Sequence, residues 1–263
     1  MLPISEIICG ECSEVMSTFP DECVDLTITS PPYDGLRDYL GYKFDFEAIA
    51  KQLYRVTKQG GVVVWVVGDE TKNGSESGTS FRQALRFKEI GFNLHDTMIY
   101  EKINPIPLNH NRYEQGFEFM FVLSKGIIKT FNPIKIPCST AGVDHLWSNH
   151  KSDPSGKSAK KNSGKTQITG EYKIARNIFK YGLVGVRETG KHPAPFPEQL
   201  AADHIRSWSN EGDIVLDCMA GSGTVLKAAR KLGRKYIGIE MSEEYCKIIE
   251  ERLSQQTLNF EVK

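Results

Sequence analysis

Along the chain, short runs of consecutive apolar residues alternate with stretches in which apolar positions recur every three or four residues. Val24–Thr29 (VDLTIT) predicts a buried strand ended by two prolines. Phe46–Thr57 (FEAIAKQLYRVT) has helical spacing and is closed by Gly60-Gly61. Val62–Val67 (VVVWVV) is apolar throughout, the pattern of a strand covered on both faces. Thr79–Ile90 predicts a helix stopped by Gly91, and Leu94–Glu101 and Phe117–Ser124 predict two more strands. The last third repeats the rhythm: a helix at Pro197–Trp208, a strand at Ile214–Cys218, a helix at Thr224–Leu232 and a strand at Tyr236–Glu240. A final helix over Ser242–Leu253 is capped by Ser242. This alternation predicts an α/β protein with an open parallel sheet wrapped by helices.

Residues 125–190 break the rhythm. Their middle, KSDPSGKSAKKNSGKTQ, is close to low complexity, so 125–190 reads as an insertion with a mobile basic loop near 151–167. A second mobile loop is expected at Gly68–Gly78 (GDETKNGSESG). With 263 residues, 40% hydrophobic and 25% charged, the chain is neither disordered, collagen-like nor a coiled coil. It has no run of 18 apolar residues, and its start, MLPISEIICGE, is too short and acidic for a signal peptide. Six cysteines are too few for a disulfide scaffold, so a reduced, cytoplasmic chain is expected. The net charge of zero hides a split: residues 151–191 hold ten Lys or Arg against three Asp or Glu. Such asymmetry fits a basic patch for a polyanion, or simply a solvated loop.

Two segments carry candidate chemistry. Ile214–Thr224 (IVLDCMAGSGT) reads as strand, Gly-Ser-Gly turn and helix, which lets backbone approach a ligand at a helix N-terminus. Glu240 ends the next strand, about 20 residues on, where a carboxylate can bind both hydroxyls of a ribose. The third glycine of a dinucleotide fingerprint is replaced by Leu226, which disfavours NAD. Thr29-Ser30-Pro31-Pro32-Tyr33 follows a strand; its prolines fix an extended path and leave carbonyls free to accept hydrogen bonds. Together the Pro31 carbonyl, the Ser30 hydroxyl and the Tyr33 ring suit an amino group on a planar base. Alone, the segment also reads as a strand terminator with an exposed tyrosine.

These segments resemble those of the amino-methylating DNA methyltransferases that use S-adenosyl-L-methionine, over about 1–124 and 191–255. TSPPYDGLRDY is similar to the family's catalytic motif, VLDCMAGSGT to its cofactor loop, and KHPAPFPEQL to the segment that meets the methionine end of the cofactor. IICGECSEVMSTFPDECVDL is similar to the lead-in strand, whose following turn borders the adenine pocket. The order, catalytic motif before cofactor loop, is that of the family's beta group. The resemblance implies a Rossmann-like mixed sheet of about seven strands, permuted, with the catalytic domain at 1–124 and 191–263. It implies a target-recognition insertion at 125–190. Ser30, Pro31, Pro32 and Tyr33 are then catalytic. Cofactor contacts fall on Gly10, Glu11, Cys12, Thr29, His192, Pro193, Phe196, Asp217, Met219, Ala220, Gly221, Ser222, Gly223, Thr224 and Glu240. Lys157, Lys160, Lys161 and Lys165 are the expected phosphate contacts. The partner is double-stranded DNA with the base flipped out, no metal and no membrane, in a monomer or homodimer that a cognate restriction endonuclease can accompany. The product is S-adenosyl-L-homocysteine.

There are departures. Cys218 and Met219 stand where Pro and Phe are common, and Ser30 where adenine-modifying relatives carry Asp or Asn. Relatives with Ser usually methylate cytosine N4, while adenine N6 stays open, as do an RNA substrate and a non-catalytic DNA-binding relic. Cys9 and Cys12 form a CxxC without a second pair at zinc spacing, and a redox role for it is disfavoured. Pro137-Cys138 lacks the flanks of a carbon-5 methyltransferase nucleophile. His145 and His150 border the basic loop as surface residues. Phe117 or Phe119 can wall the base pocket, although alternating strand residues favour a core role.

Overall fold

The computed structural model describes residues 2–32, 44–105, 111–142, 144–152, 158–168, 170–182 and 197–254. It divides into two compact units, 1–132 with 177–263, and Pro133–Arg176.

The first unit is built on an eight-stranded sheet. Its strands are β1 (Glu6–Cys9), β2 (Val24–Thr29), β3 (Thr57–Val67), β6 (Asn93–Lys102), β7 (Phe117–Ser124), β12 (Ile178–Tyr181), β13 (Ile214–Asp217) and β14 (Lys235–Glu240), and the spatial order is β1-β14-β13-β2-β3-β7-β6-β12. All neighbours are parallel except at β7, which runs antiparallel to both β3 and β6. The sheet is thus mixed, and the eighth strand, β12, comes from the stretch that the sequence reading assigned to the insertion. Ile178 pairs with Ile99 and Tyr181 with Lys102, so the second unit is narrower than 125–190.

Helices α1 (Cys12–Ser17), α2 (Phe46–Val56) and α3 (Thr79–Ile90) cover one face, and α4 (Glu198–Trp208) and α5 (Thr224–Lys231) the other, with α6 (Glu243–Ser254) closing the chain. Both faces are apolar, which explains VVVWVV: Val63, Trp65 and Val67 enter one core, and Val62, Val64 and Val66 the other. Strand β3 begins at Thr57 directly after α2 and takes in Gly60-Gly61, so these glycines are part of the strand and do not close a helix. As expected, Ser242 caps α6, its Oγ accepting from the Tyr245 amide at 3.4 Å.

Both expected mobile loops contain strands. Residues 71–76 form a hairpin of β4 (Thr71–Lys72) and β5 (Ser75–Glu76). In the second unit β9 (Asp144–Ser152) pairs antiparallel with β10 (Ser158–Ile168), and β8 (Lys135–Pro137) with β11 (Tyr172–Ile174).

Candidate functional site

Four neighbouring strands, β1, β14, β13 and β2, run parallel, so their carboxyl ends share one rim of the sheet. Ligand sites of open α/β sheets form beyond such ends. The register sets Cys9 opposite Glu240 and Asp217 opposite Gly238. This brings Gly10-Glu11-Cys12, Thr29-Ser30-Pro31-Pro32, Asp217–Thr224 and Glu240 together on the rim.

The glycine loop is held by its own amides. The Ala220 amide donates to the Ile239 carbonyl at 2.9 Å, and the Gly223 amide to that of Ala220 at 2.7 Å. Gly221 and Gly223 have φ of 54° and 78°, a region that side-chain-bearing residues rarely adopt. A Cβ on Gly223 would lie 2.8 Å from Cγ2 of Ile249, so steric room also requires glycine there. The Gly221 amide donates to Glu240 Oε2 at 2.8 Å and the Ser242 amide to Oε1 at 3.0 Å. Each carboxylate oxygen keeps a lone pair for a diol. Burial pushes the Glu240 carboxyl up, against the pull of these amides.

The loop and the Ser-Pro-Pro turn are joined. Thr29 Oγ1 donates to Asp217 Oδ1 at 2.9 Å, and the Met219 amide donates to the same oxygen at 3.2 Å. The Cys218 thiol lies 3.8 Å from Thr29 Oγ1. Asp217 is fully buried; burial raises its carboxyl to about 7, opposed by the Thr29 and Met219 bonds and aided by the charge of Glu240. Pro31 is buried, and Ser30 and Pro32 are half-buried.

Leu226 finds its counterpart on the strand. A Cβ on Gly238 would lie 2.4 Å from Leu226 Cδ1, so close packing of α5 on the sheet rests on a strand glycine. The third glycine of a dinucleotide fingerprint provides the same closeness from the helix side. Sequence reasoning missed Gly238 and the Ser242 amide, since neither interrupts a pattern.

Other expected residues divide. Glu11 is the N-cap of α1: its carboxylate accepts from the Ser13 hydroxyl at 2.6 Å and the Glu14 amide at 2.8 Å, and is held below its usual range by these bonds despite burial. The Cys12 thiol faces the core against Cys218, which together with burial pushes it far up. Cys9 instead neighbours Cys246, whose thiol burial and Cys9 push up to about 12. The two cysteines of the CxxC therefore face different partners. Phe119 stacks on Phe121 at 5.2 Å, whereas Phe117 is exposed, contrary to the core role expected for it. On β10, Lys160 pairs with His150 and Lys161 with Asn149, and Lys165 falls in the register shift between Asn162 and Thr166. His145, opposite Gln167, is on β9 with His150. Tyr33, Lys157, His192, Pro193 and Phe196 lie outside the described residues. Among the described residues, no cluster of three or more His, Cys, Asp or Glu is arranged for a metal, and no helix is long and apolar enough to cross a membrane.

This sheet, with a glycine loop and a carboxylate on adjacent strand ends, is the fold of methyltransferases that carry their methyl group on a nucleoside. The family N6_N4_Mtase, described as DNA methylase, matches residues 24–251, and the chain belongs to it. It is a DNA methyltransferase of the N6/N4 amino-methylating family. It is 52% identical over 243 residues to the orphan methyltransferase M.BamHII of Bacillus amyloliquefaciens, covering 89% of each chain. Among solved structures it is similar to the M1.HpyAVI–SAM complex, with 25% identity, a TM-score of 0.66 and coverage of 95% and 99% of the two chains. The fold is also that of the PvuII cytosine-N4-specific DNA methyltransferase, with 20% identity, a TM-score of 0.69 and coverage of 96% and 87%.

Proposed function

We propose that this chain methylates N4 of a flipped cytosine in double-stranded DNA, using S-adenosyl-L-methionine bound along the Asp217–Thr224 loop. The observation that carries the reading is the Thr29–Asp217 hydrogen bond of 2.9 Å, which fastens the Ser-Pro-Pro turn to the first residue of the glycine loop. The site suits the cofactor: Glu240 offers two ordered oxygens to a ribose, the glycines leave backbone open, and the carboxyls of Glu240 and Asp217 favour a ligand bearing positive charge. S-Adenosyl-L-methionine supplies the methyl group and leaves as S-adenosyl-L-homocysteine. His192, Pro193 and Phe196 are assigned to its methionine end through the sequence resemblance.

Ser30 and the Pro31 carbonyl accept hydrogen bonds from the two N–H groups of the cytosine amine. That amine shares its lone pair with the ring and is a poor nucleophile. The two acceptors turn it toward tetrahedral geometry and free the lone pair. Its nitrogen then forms the new N–C bond as the S–C bond breaks, and the extra proton leaves afterwards, when the nitrogen is cationic. The chain contributes position and electrostatics, with no covalent intermediate. Tyr33 stacks on the flipped base, which cannot be reached inside the duplex. The Pro133–Arg176 unit, with Lys160, Lys161 and Lys165, takes the DNA backbone. Ser30 selects cytosine, because adenine-modifying relatives carry an acidic or amide residue there.

The test is transfer of tritium from labelled S-adenosyl-L-methionine to duplex DNA, followed by nucleoside chromatography. Label in N4-methylcytosine is expected. Label in N6-methyladenine keeps the mechanism and overturns Ser30 as base selector, and the absence of label on DNA overturns the substrate.

A further inference from the structure

The carboxyl rim continues past the site to β3, which lies next to β2 with Thr29 opposite Trp65. Two residues after Trp65 the strand ends at Val67, and the chain rises into the β4–β5 hairpin. Adjacent strands are separated by about 4.8 Å, so the end of β3, from which the hairpin departs, is one strand away from the end of β2 that leads into Ser30-Pro31.

Asp69 holds the base of this hairpin. Its Oδ1 accepts from the Ser77 hydroxyl at 3.0 Å and the Ser80 amide at 2.9 Å, and its Oδ2 accepts from the Ser80 hydroxyl. The Ser77 amide donates to the Glu70 carbonyl at 2.8 Å. The tip is a two-residue turn, with Asn73 and Gly74 both at positive φ, 52° and 79°. That backbone matches strand twist and sets the hairpin rigidly. Arg112 donates to the Gly74 carbonyl and faces Glu76 at 3.9 Å. Every residue from Thr71 to Glu76 is exposed, and among the described residues the side chains of Lys72 and Asn73 have no partner. Apart from the Arg112 contacts to Gly74 and Glu76, the preformed tip presents its polar side chains to solvent.

We propose that this hairpin enters the DNA groove beside the flipped nucleotide, and that Lys72 and Asn73 are specificity-determining residues reading purine edges there. The proposal rests on the DNA-methylating reading of the rim. A two-stranded ribbon fits the major groove. Glu70 and Glu76 flank the tip and oppose a phosphate clamp, which leaves base edges as the partner. Lysine donors suit guanine O6 and N7, and an asparagine amide suits adenine N6 and N7.

The experiment compares wild type with a Lys72→Ala, Asn73→Gly variant; glycine keeps the positive φ and removes only the side chain. The methylated sequence of wild-type substrate DNA is mapped first, and kcat/KM is then measured on duplexes changed one flanking base at a time. The variant is expected to lose roughly five- to 150-fold in kcat/KM for each purine contact removed. Its preference at those positions should relax, while affinity for S-adenosyl-L-methionine and Tm stay unchanged. An unchanged kcat/KM with unchanged base preference overturns the proposal. So does a uniform loss across all sequences, which would make the tip a phosphate contact only. A wild-type protein that places no methyl group on DNA overturns instead the reading on which the proposal rests.

Discussion

At the ends of β13, β14 and β2, polar side chains are buried and bonded to fixed partners: Thr29 to Asp217, and Glu240 to the amides of Gly221 and Ser242. Past the end of β3 the polar side chains of the hairpin stand in solvent, and Asp69 below them fixes only the base. In the first half of the rim each buried polar group is satisfied in place, which suits the small ligand proposed for it. The second half presents a turn-fixed backbone whose Lys72 and Asn73 side chains stand in solvent, which suits the variable partner proposed for it. One sheet edge thus holds polar groups in two ways, by buried polar bonds at β13, β14 and β2 and by a tight turn beyond β3.

Substitutions test this contrast. Ser30→Ala should lower the methyl-transfer rate by about two to three orders of magnitude, the scale of one transition-state hydrogen bond in a dry site. Affinity for S-adenosyl-L-methionine should be unchanged by calorimetry, and a rate within threefold of wild type would remove Ser30 from the chemistry. Asp217 should appear in the pH dependence of stability. Its folded carboxyl is raised to about 7 from 3.8, so its contribution is full below about pH 4 and is lost as pH rises through 7. Relative to Asp217→Asn, the wild type should therefore lose about 2–4 kcal/mol between those pH values by denaturant titration. A flat difference would mean that the carboxyl is not confined as described.

Neutralising Lys157, Lys160, Lys161 and Lys165 should lower the slope of log K for DNA against log salt by about 3–4 units. An unchanged slope would return the β9–β10 ribbon to a solvated surface. Glu240→Ala should weaken S-adenosyl-L-methionine by at least about tenfold without unfolding the chain, through loss of charge-assisted bonds to the ribose. Equal affinity in the two proteins would take Glu240 out of the cofactor site.

The buried half of the rim was legible because its chemistry dictates residue types. Gly221 and Gly223 need positive φ, and Glu240 sits where a strand ends, so both announce themselves in a single sequence. Gly238 did not, because its role depends on Leu226 crossing above it. The sequence of 68–78 reads as a mobile loop although Asn73-Gly74 is a strong turn signal. Its strands are two residues each and wholly polar, so no periodicity marks them, and the Asp69–Ser80 bonds that fix it are invisible without the fold. Strand β12 was hidden for a related reason: four residues beyond a low-complexity stretch gave no reason to join the main sheet until β6 was there to pair with.

In the proposed reaction the Ser30–Pro31 turn presents a cytosine amine to a methyl group held on the Glu240 side of the rim. The most direct measurement is nucleoside mass spectrometry on DNA from cells without methylated bases of their own, after expression of wild type and of Ser30→Ala in parallel. N4-methylcytosine is expected with the wild type and a large reduction with the variant at equal protein levels. N6-methyladenine in its place, or DNA without any methylated base, would contradict it.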